Sequence, residues 1–391
     1  MNALVSILVT DLVSLRDRGV WQGYINVVFA AGVASGAPIG GLMADSVGWR
    51  WAFLGQFPIS MLAFISVYFV LSLPKSADVD AKWSSKILRI DFLGAFTLVA
   101  AVFLLLFGLD NGANRGWSHT STIVPLALTP FLLALFILIE VKVAAHPFAP
   151  GHVILDPPLL AAYGANLFGV AAQLGVYFFV ALFLQAALGY SATHAGLLFV
   201  PTTFFGLAGS LGGGWLLRRF GKYYWLTFGG YALVLLSCVP LVAFSGVVAT
   251  SATGVVVGLS MMGLGSGCSI TTTLIAVIAN SAPEDMAIAI ACSYLFRSLG
   301  TSLGIGISTA VLQQTLRTTL ADALADGGRA AEIETRVRES LDYIRTLEPA
   351  VAAVVRRCYA VATQHAFAPI AVFAALALLS SWFVREKKLE R

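Results

Sequence analysis

Charge is scarce in this sequence, and that scarcity decides the class of protein. Lysine, arginine, aspartate and glutamate make up 11% of the 391 residues, whereas 58% are hydrophobic and the mean hydropathy is +0.86. A soluble domain carries about 25% charged residues, because water must solvate its surface. This chain has too little charge for that, so its apolar surface is expected to face lipid.

Motifs for metal, nucleotide and acyl chemistry are also absent from the sequence. It contains no HExxH, GxSxG or P-loop and no pair of acids within an apolar run, which argues against an enzyme or an ATP-driven pump. The four cysteines form no CxxC pair and the five histidines form no metal-ligand pair, so we expect no metal and no cofactor. The net charge of +4 is spread along the chain, so no nucleic-acid partner is expected.

What the sequence has in abundance is long apolar runs. A helix needs about 20 mostly apolar residues to cross a bilayer. Residues 1–13 fit either the second half of a further span or a short re-entrant piece. The ten complete candidate spans are 20–44, 52–73, 92–110, 122–143, 159–188, 195–217, 225–245, 252–279, 287–314 and 366–384. The expected fold is an all-α polytopic transmembrane bundle of about ten complete spans plus a partial first one.

Basic residues concentrate in alternate loops between these spans. By the positive-inside rule those loops and the C-terminus are predicted to be cytoplasmic. The long segment 315–365 carries both signs of charge and is placed on the opposite side by counting spans. Within it, residues 329–347 have apolar residues at helical spacing and predict a solvated or interface-lying amphipathic helix. The basic residues of the cytoplasmic set are Arg16, Arg18, Lys75, Lys82, Lys86, Arg89, Lys142, Arg218, Arg219, Lys222, Arg385, Lys387, Lys388 and Arg391.

The sequence also matches itself at a constant offset of 268 residues. The matched pairs are Asp17 with Asp285, Gly32 with Gly300, and Gly36 with Gly304. At this offset Met1 falls on Ser269, in the middle of the 252–279 span. The repeat therefore predicts that the first half lacks three and a half helices, and that restoring them would give fourteen.

The most specific local pattern is the glycine-rich stretch GVASGAPIGGLMADSVGWRWAFLGQFP at 32–58. Gly32, Gly36 and Gly40 lie four residues apart, on one face of a helix, where a neighbouring helix can approach closely. Pro38 removes a backbone donor and bends the helix. By spacing alone, this pattern also fits a generic helix-packing face.

The full stretch resembles the fourteen-helix drug:proton antiporter family of the major facilitator superfamily. It is similar to that family's GxxxGPxxGG signature, with Ala37 before Pro38, and to its WRWxFxxxxP run, with Gln56 where the family commonly has asparagine. GGGWLLRRFGK at 212–222 resembles the family's basic loop motif. ACSYLFRSLGTSLG at 291–304 is similar to a late helix of fungal vacuolar basic amino acid transporters and multidrug carriers.

The resemblance implies two helical bundles that alternate access to a site near the bilayer midplane. Residues 1–74 would belong to the first six-helix bundle, 75–145 to a cytoplasmic loop and central helix pair, and 146–391 to the second bundle. It also implies that the glycine–proline motif lies between the halves, and that the basic loop is a cytoplasmic gate. The motif residues are Gly32, Gly36, Pro38, Gly40 and Gly41; the loop residues are Arg218, Arg219, Gly221 and Lys222. Ordinary positive-inside anchoring remains the alternative for the loop.

Polar residues inside the apolar runs are the candidates for a transport cavity. Arg297 stands near the middle of 287–314, where a charge costs about 2.5–3.5 kcal/mol, so it needs a partner or a function. Purely structural pairing is the alternative for Arg297, interhelical hydrogen bonding for the amides and core packing for the tyrosine. The further cavity candidates are Asn26, Asn166, Gln173 and Tyr294.

The sequence indicates two alternative functions. The first is a secondary carrier that exchanges protons for drugs or basic amino acids in a vacuolar or plasma membrane, with the bilayer, protons and a small solute as its partners. The resemblance places the family's usual proton-coupling motifs before Met1. The second is therefore a non-transporting membrane protein that associates with, or derives from, a longer carrier.

Overall fold

The structure is a computed structural model, and its described residues are 28, 31–32, 35–36, 38–70, 91–143, 150–324, 333, 336–337, 341 and 343–387. Within these ranges the regular elements are helices, and nine of them are long and apolar enough to cross a membrane. This confirms the prediction of an all-α polytopic bundle. The span predicted at 20–44 is described only in part, and Asn26 lies outside the described residues.

We number the helices in chain order. They are α1 (38–46), α2 (Trp49–Val70), α3 (Phe92–Arg115), α4 (Thr120–Lys142), α5 (Pro157–Ala187), α6 (Ala192–Phe220), α7 (Tyr224–Phe244), α8 (Ala252–Asn280), α9 (Pro283–Ala323) and α10 (Pro349–Trp382). α4 and α5 each end in a π-helical turn, at Ile139–Val143 and Phe183–Ala187. Apart from α1, each helix lies on one predicted span.

The last two helices extend well beyond their predicted spans. α9 continues to Ala323 and α10 begins at Pro349, so the connection between them is about half as long as the predicted loop 315–365. A span predicted from a run of apolar residues ends where charged and hydroxyl side chains begin, as at Arg317. Helix formation does not stop there, because these residue types are tolerated in a helix once it leaves the hydrocarbon.

The segment 329–347, predicted as one amphipathic helix that is solvated or lies at an interface, is helical at 333 and 336–337 and interrupted by a turn at Leu341. A separate short helix, Tyr343–Thr346, follows. Val337 and Ile344 are buried in the main hydrophobic cluster, and the Tyr359 hydroxyl donates to the carbonyl of Val337 at 2.9 Å. The described part of this segment therefore packs onto the end of the bundle instead of lying free in solvent.

Glycines bring the helices of the second half, α5–α10, into backbone contact. A Cβ atom on Gly300 would collide with the carbonyl oxygen of Leu167, and one on Gly304 with that of Ala171. Both pairs repeat at an interval of four residues, the small-xxx-small geometry that drives helix association in lipid. α9 and α5 therefore cross with no side chain between their backbones.

The central helix pair, α3 and α4, packs on the outside of this bundle. Gly306 of α9 faces Leu106 of α3, and Arg317 donates to the carbonyl oxygen of Asn114 at 3.4 Å. These contacts place the pair beside α9.

Two contacts between distant segments lie at opposite ends of the bundle. At one end His152 lies 3.1 Å from Asp285. At the other, Gln364 donates to the carbonyl oxygen of Ser245 at 2.9 Å. This grouping agrees with the alternate loops of the sequence analysis. Which end faces the cytoplasm stays a prediction.

Candidate transport site

Arg297 lies deep inside the second half. It is 11 residues after Met286 in α9, which at 1.5 Å per residue is about 16 Å along a span of about 30 Å. Its guanidinium carbon is 5.3 Å from the centre of the Tyr294 ring, a cation–π distance. The side chain is partly buried, and its Nε has no hydrogen-bond partner among the described residues.

Asn166 is held against the same segment of α9. It is buried, and its amide nitrogen donates to the hydroxyl of Ser293 at 2.9 Å, one helical turn before Arg297. Its amide oxygen is buried without a partner in the described part of the chain. The structure thus brings three of the predicted cavity residues, Asn166, Tyr294 and Arg297, to one level of the α5–α9 contact.

Gln173 lies two turns further along α5 and bonds to a different helix. Its amide nitrogen donates to the Ser266 hydroxyl of α8 at 2.9 Å and to the Tyr177 hydroxyl at 3.1 Å. This is the interhelical bond that the sequence analysis weighed against substrate contact. A role of Gln173 in binding stays a prediction.

The glycine–proline motif touches the second half at its last residue. Gly41 is buried, and a Cβ there would meet the backbone of Ala192 and Thr193 at 2.5–2.8 Å. Four residues later, the two carboxylate oxygens of Asp45 accept hydrogen bonds from the amides of Ala192 at 3.2 Å and Thr193 at 2.7 Å. This contact joins α1 to the start of α6 across more than 140 residues of chain.

The other glycines of the motif are not in close contact. A Cβ on Gly32, Gly36 or Gly40 would meet nothing within 4 Å. The expected close approach at these three positions is therefore not seen in the described residues. It is instead seen at Gly300 and Gly304, which the internal repeat aligns with Gly32 and Gly36.

The predicted basic gate loop follows the end of α6. Gly221 ends the helix in the left-handed conformation, with φ of 66°, which glycine adopts without strain. Arg218, Arg219 and Lys222 are exposed, and Arg219 lies 5.7 Å from the Trp215 ring. No ion pair joins these three cations to a carboxylate within the described residues, so their gating role stays a prediction.

Beside this loop lies a contact that the sequence analysis did not find. The Tyr223 hydroxyl donates to the carbonyl oxygen of Arg385 at 2.8 Å and accepts from the Lys387 amide at 2.8 Å and the Asn280 amide at 3.1 Å. Burial raises the pKa of Tyr223, so the hydroxyl stays protonated. A buried tyrosine in the loop before α7 thus holds the segment after α10 against the last residue of α8.

Replacing Tyr223 with phenylalanine is expected to release the C-terminal tail. The variant leaves the Lys387 amide without its acceptor, so trypsin should cleave after Arg385 and Lys387 several times faster, measured by mass spectrometry of the shortened chain. Tyr224→Phe is the matched control, because its hydroxyl makes one longer bond, 3.3 Å to the Trp382 carbonyl. Equal cleavage rates in the two variants would contradict this role for Tyr223.

Curated relatives of the chain are fungal membrane transporters. It is 31% identical to the multidrug resistance protein fnx1 of Schizosaccharomyces pombe over 376 residues, which covers 96% of this chain and 70% of fnx1. It is 35% identical to the vacuolar membrane amino acid uptake transporter fnx2 of the same yeast, over 78% of this chain and 52% of fnx2. It is 30% identical to vacuolar basic amino acid transporter 2 of Saccharomyces cerevisiae, over 76% of this chain and 64% of that protein. The chain thus spans only about half the length of fnx2.

Solved structures agree with the fold. A bacterial homologue of the human lysosomal transporter Spinster, in an inward-facing and occupied conformation, superposes with a TM-score of 0.56 at 14% identity, over 97% of this chain and 72% of that one. The Major Facilitator Superfamily sequence family matches residues 1–305. That match covers more than half of the chain and agrees with the resemblance of its motifs. The chain belongs to the Major Facilitator Superfamily.

Proposed function

We propose that this chain works as a proton-coupled antiporter of small organic solutes, with drugs and basic amino acids as the candidate substrates. The names of its relatives support both substrate classes, since they include a multidrug resistance protein and a vacuolar basic amino acid transporter. The proposed location is a vacuolar or plasma membrane, with the C-terminus in the cytoplasm because its tail is basic.

The contact of Gly41 and Asp45 with the start of α6 is the observation that carries this proposal. Alternating access requires contacts between the halves that exist in one state and break in the other. The contact of Gly41 and Asp45 with α6 suits this role. Gly41 permits backbone approach, and the hydrogen bonds of Asp45 depend on one ionised carboxylate. Hydrogen bonds from Thr193 lower the pKa of Asp45, so its carboxylate stays ionised at neutral pH and holds this contact in one state of the transport cycle.

Reconstituted vesicles test the proposal. The purified chain is inserted into liposomes with an acidic interior, and uptake of labelled lysine and of a fluorescent organic cation is followed. We expect uptake that stops when nigericin collapses the pH gradient, together with a rise in luminal pH as substrate enters. Protein-free liposomes are the control. Uptake that is unchanged by nigericin would contradict proton coupling, and no uptake of either class would contradict transport.

A second function is favoured by one feature of α2. None of its 22 residues is buried among the described helices, although it is long and apolar enough to cross a membrane. Such a surface also suits a non-transporting membrane protein that acts by associating with another carrier. Co-purification of a second carrier, together with no gradient-dependent uptake by the isolated chain, would favour this alternative.

A further inference from the structure

Arg297 is a cation at mid-depth in a bundle whose described acids all lie near its two ends. The described carboxylates of residues 150–387 are Asp156, Glu284, Asp285, Asp322, Glu348 and Glu386. Each of these stands at a helix terminus or in a connection. A guanidinium at the bilayer centre needs an anion or several acceptor oxygens to offset its desolvation. The acids of the second half do not supply them at this depth.

Within the described residues, the surroundings of Arg297 are polar and no carboxylate forms an ion pair with it. The Tyr294 ring lies at a cation–π distance of 5.3 Å from the Arg297 guanidinium carbon, and the Nε of Arg297 has no acceptor in the described structure. The amide oxygen of Asn166, held beside α9 by the bond to Ser293, is likewise without a donor. One donor and one acceptor are thus unmatched at one level of the α5–α9 contact.

We propose that Arg297 binds the carboxylate group of an amino-acid substrate. A carboxylate supplies the charge that the site lacks and two oxygens that match the guanidinium fork. Because the side chain is only partly buried, a ligand can reach it. This inference rests on the proposed function and selects amino acids over simple organic cations as its substrate class.

The proposal predicts that the site binds a compound with a carboxylate more tightly than a matched compound without one. Lysine and cadaverine share the same carbon chain and terminal amine, but cadaverine lacks the carboxylate. A hydrogen-bonded charge pair contributes roughly 1.5–3 kcal/mol, which corresponds to roughly 10- to 150-fold in affinity. The same cation that attracts a carboxylate repels a bare diamine. Lysine should therefore bind at least about tenfold more tightly than cadaverine.

The experiment measures the thermal stabilisation of the purified full chain by each compound. Lysine is expected to raise the melting temperature at concentrations where cadaverine does not. Arg297→Gln should lose the response to lysine, and Arg297→Lys, which keeps the charge without the planar fork, should retain part of it. Arg317→Gln is the matched control, since it removes a cation from the same helix near its far end, and it should keep the wild-type preference.

The outcomes separate this inference from the proposed function. Equal binding of lysine and cadaverine by the wild-type chain would overturn it, and so would an unchanged preference in folded Arg297→Gln. Either result leaves gradient-driven uptake of other solutes intact. Conversely, stabilisation by lysine through Arg297 without any uptake in vesicles would support the carboxylate site and contradict transport. If Arg297→Gln does not fold, the wild-type comparison and Arg297→Lys still decide the question.

Discussion

Replacing Gly300 with alanine is expected to destabilise the second half of the protein more than any conservative change on its surface. The new Cβ collides with the carbonyl oxygen of Leu167, which belongs to the backbone of α5 and cannot rotate away. α5 and α9 must separate, and overpacking of this kind costs roughly 1–3 kcal/mol. Thermal unfolding of the purified protein should therefore begin several degrees lower.

Gly212→Ala is the matched control for this change. Gly212 is also a helical glycine of the second half, but a Cβ there meets nothing within 4 Å. Because alanine favours helix more than glycine does, this variant should melt at or slightly above the wild-type temperature. If both variants melted alike, the backbone contact between α5 and α9 would not be the source of the stability.

Replacing Asp45 with alanine is expected to open the contact between α1 and α6. The change removes two hydrogen bonds that the Ala192 and Thr193 amides donate. Losing a side-chain acceptor at an exposed helix start shifts such an equilibrium by roughly two- to tenfold. Nitroxide labels on Ser46 and Leu197, both exposed, report the separation. Electron spin distance measurements in a cysteine-free background should show less of the short-distance population.

The distance between the two labels is also expected to depend on pH, with a longer distance at acidic pH. Hydrogen bonds from Thr193, the largest cause, and from Ala192 and Ser191 lower the pKa of Asp45, which lies between the spans. A lowered pKa means that the ionised form favours contact, so the contact persists at neutral pH. It should weaken only as the pH falls through that lowered pKa. His194 follows Thr193 on α6 and is a second ionisable group near this contact.

Two variants identify the source of this response. Asp45→Ala should show no change in distance at acidic pH, because the titrating group is gone. Asp110→Ala is the control for loss of an exposed carboxylate that bonds within its own helix, to Asn114, and it should behave as the wild type. A wild-type acid response that persists in Asp45→Ala would assign the effect to a group other than Asp45.

The sequence predicted the helices well because lipid imposes a strong local constraint. An apolar run of the required length has few alternatives to a spanning helix, since every backbone polar group must be paired within the segment. The ends of α9 and α10 were missed because the constraint ends with the hydrocarbon, whereas the helices continue into Ala323 and from Pro349. The local sequence pattern therefore predicts the part of each helix that lies in lipid, but it does not predict where the polar extension of the helix ends.

Contacts between distant segments were harder to predict. The spacing of Gly32, Gly36 and Gly40 indicated a close approach, but spacing does not say which glycine meets which neighbour. In the structure Gly41 makes that contact, and Asp45 adds to it. Both depend on the position of α6, which no local pattern reveals. The Tyr223 contact was missed for the same reason, because its partners are more than 50 residues away.

The glycine crossing of α5 and α9 determines how movement can pass through the second half. Where side chains separate two helices, a small displacement is absorbed by rotamer changes and travels no further. At Gly300 and Gly304 the backbones touch directly, so a displacement of α9 at this point also displaces α5. Arg297 stands one turn from this crossing. A ligand that binds its guanidinium and displaces α9 would therefore move both helices as a rigid unit.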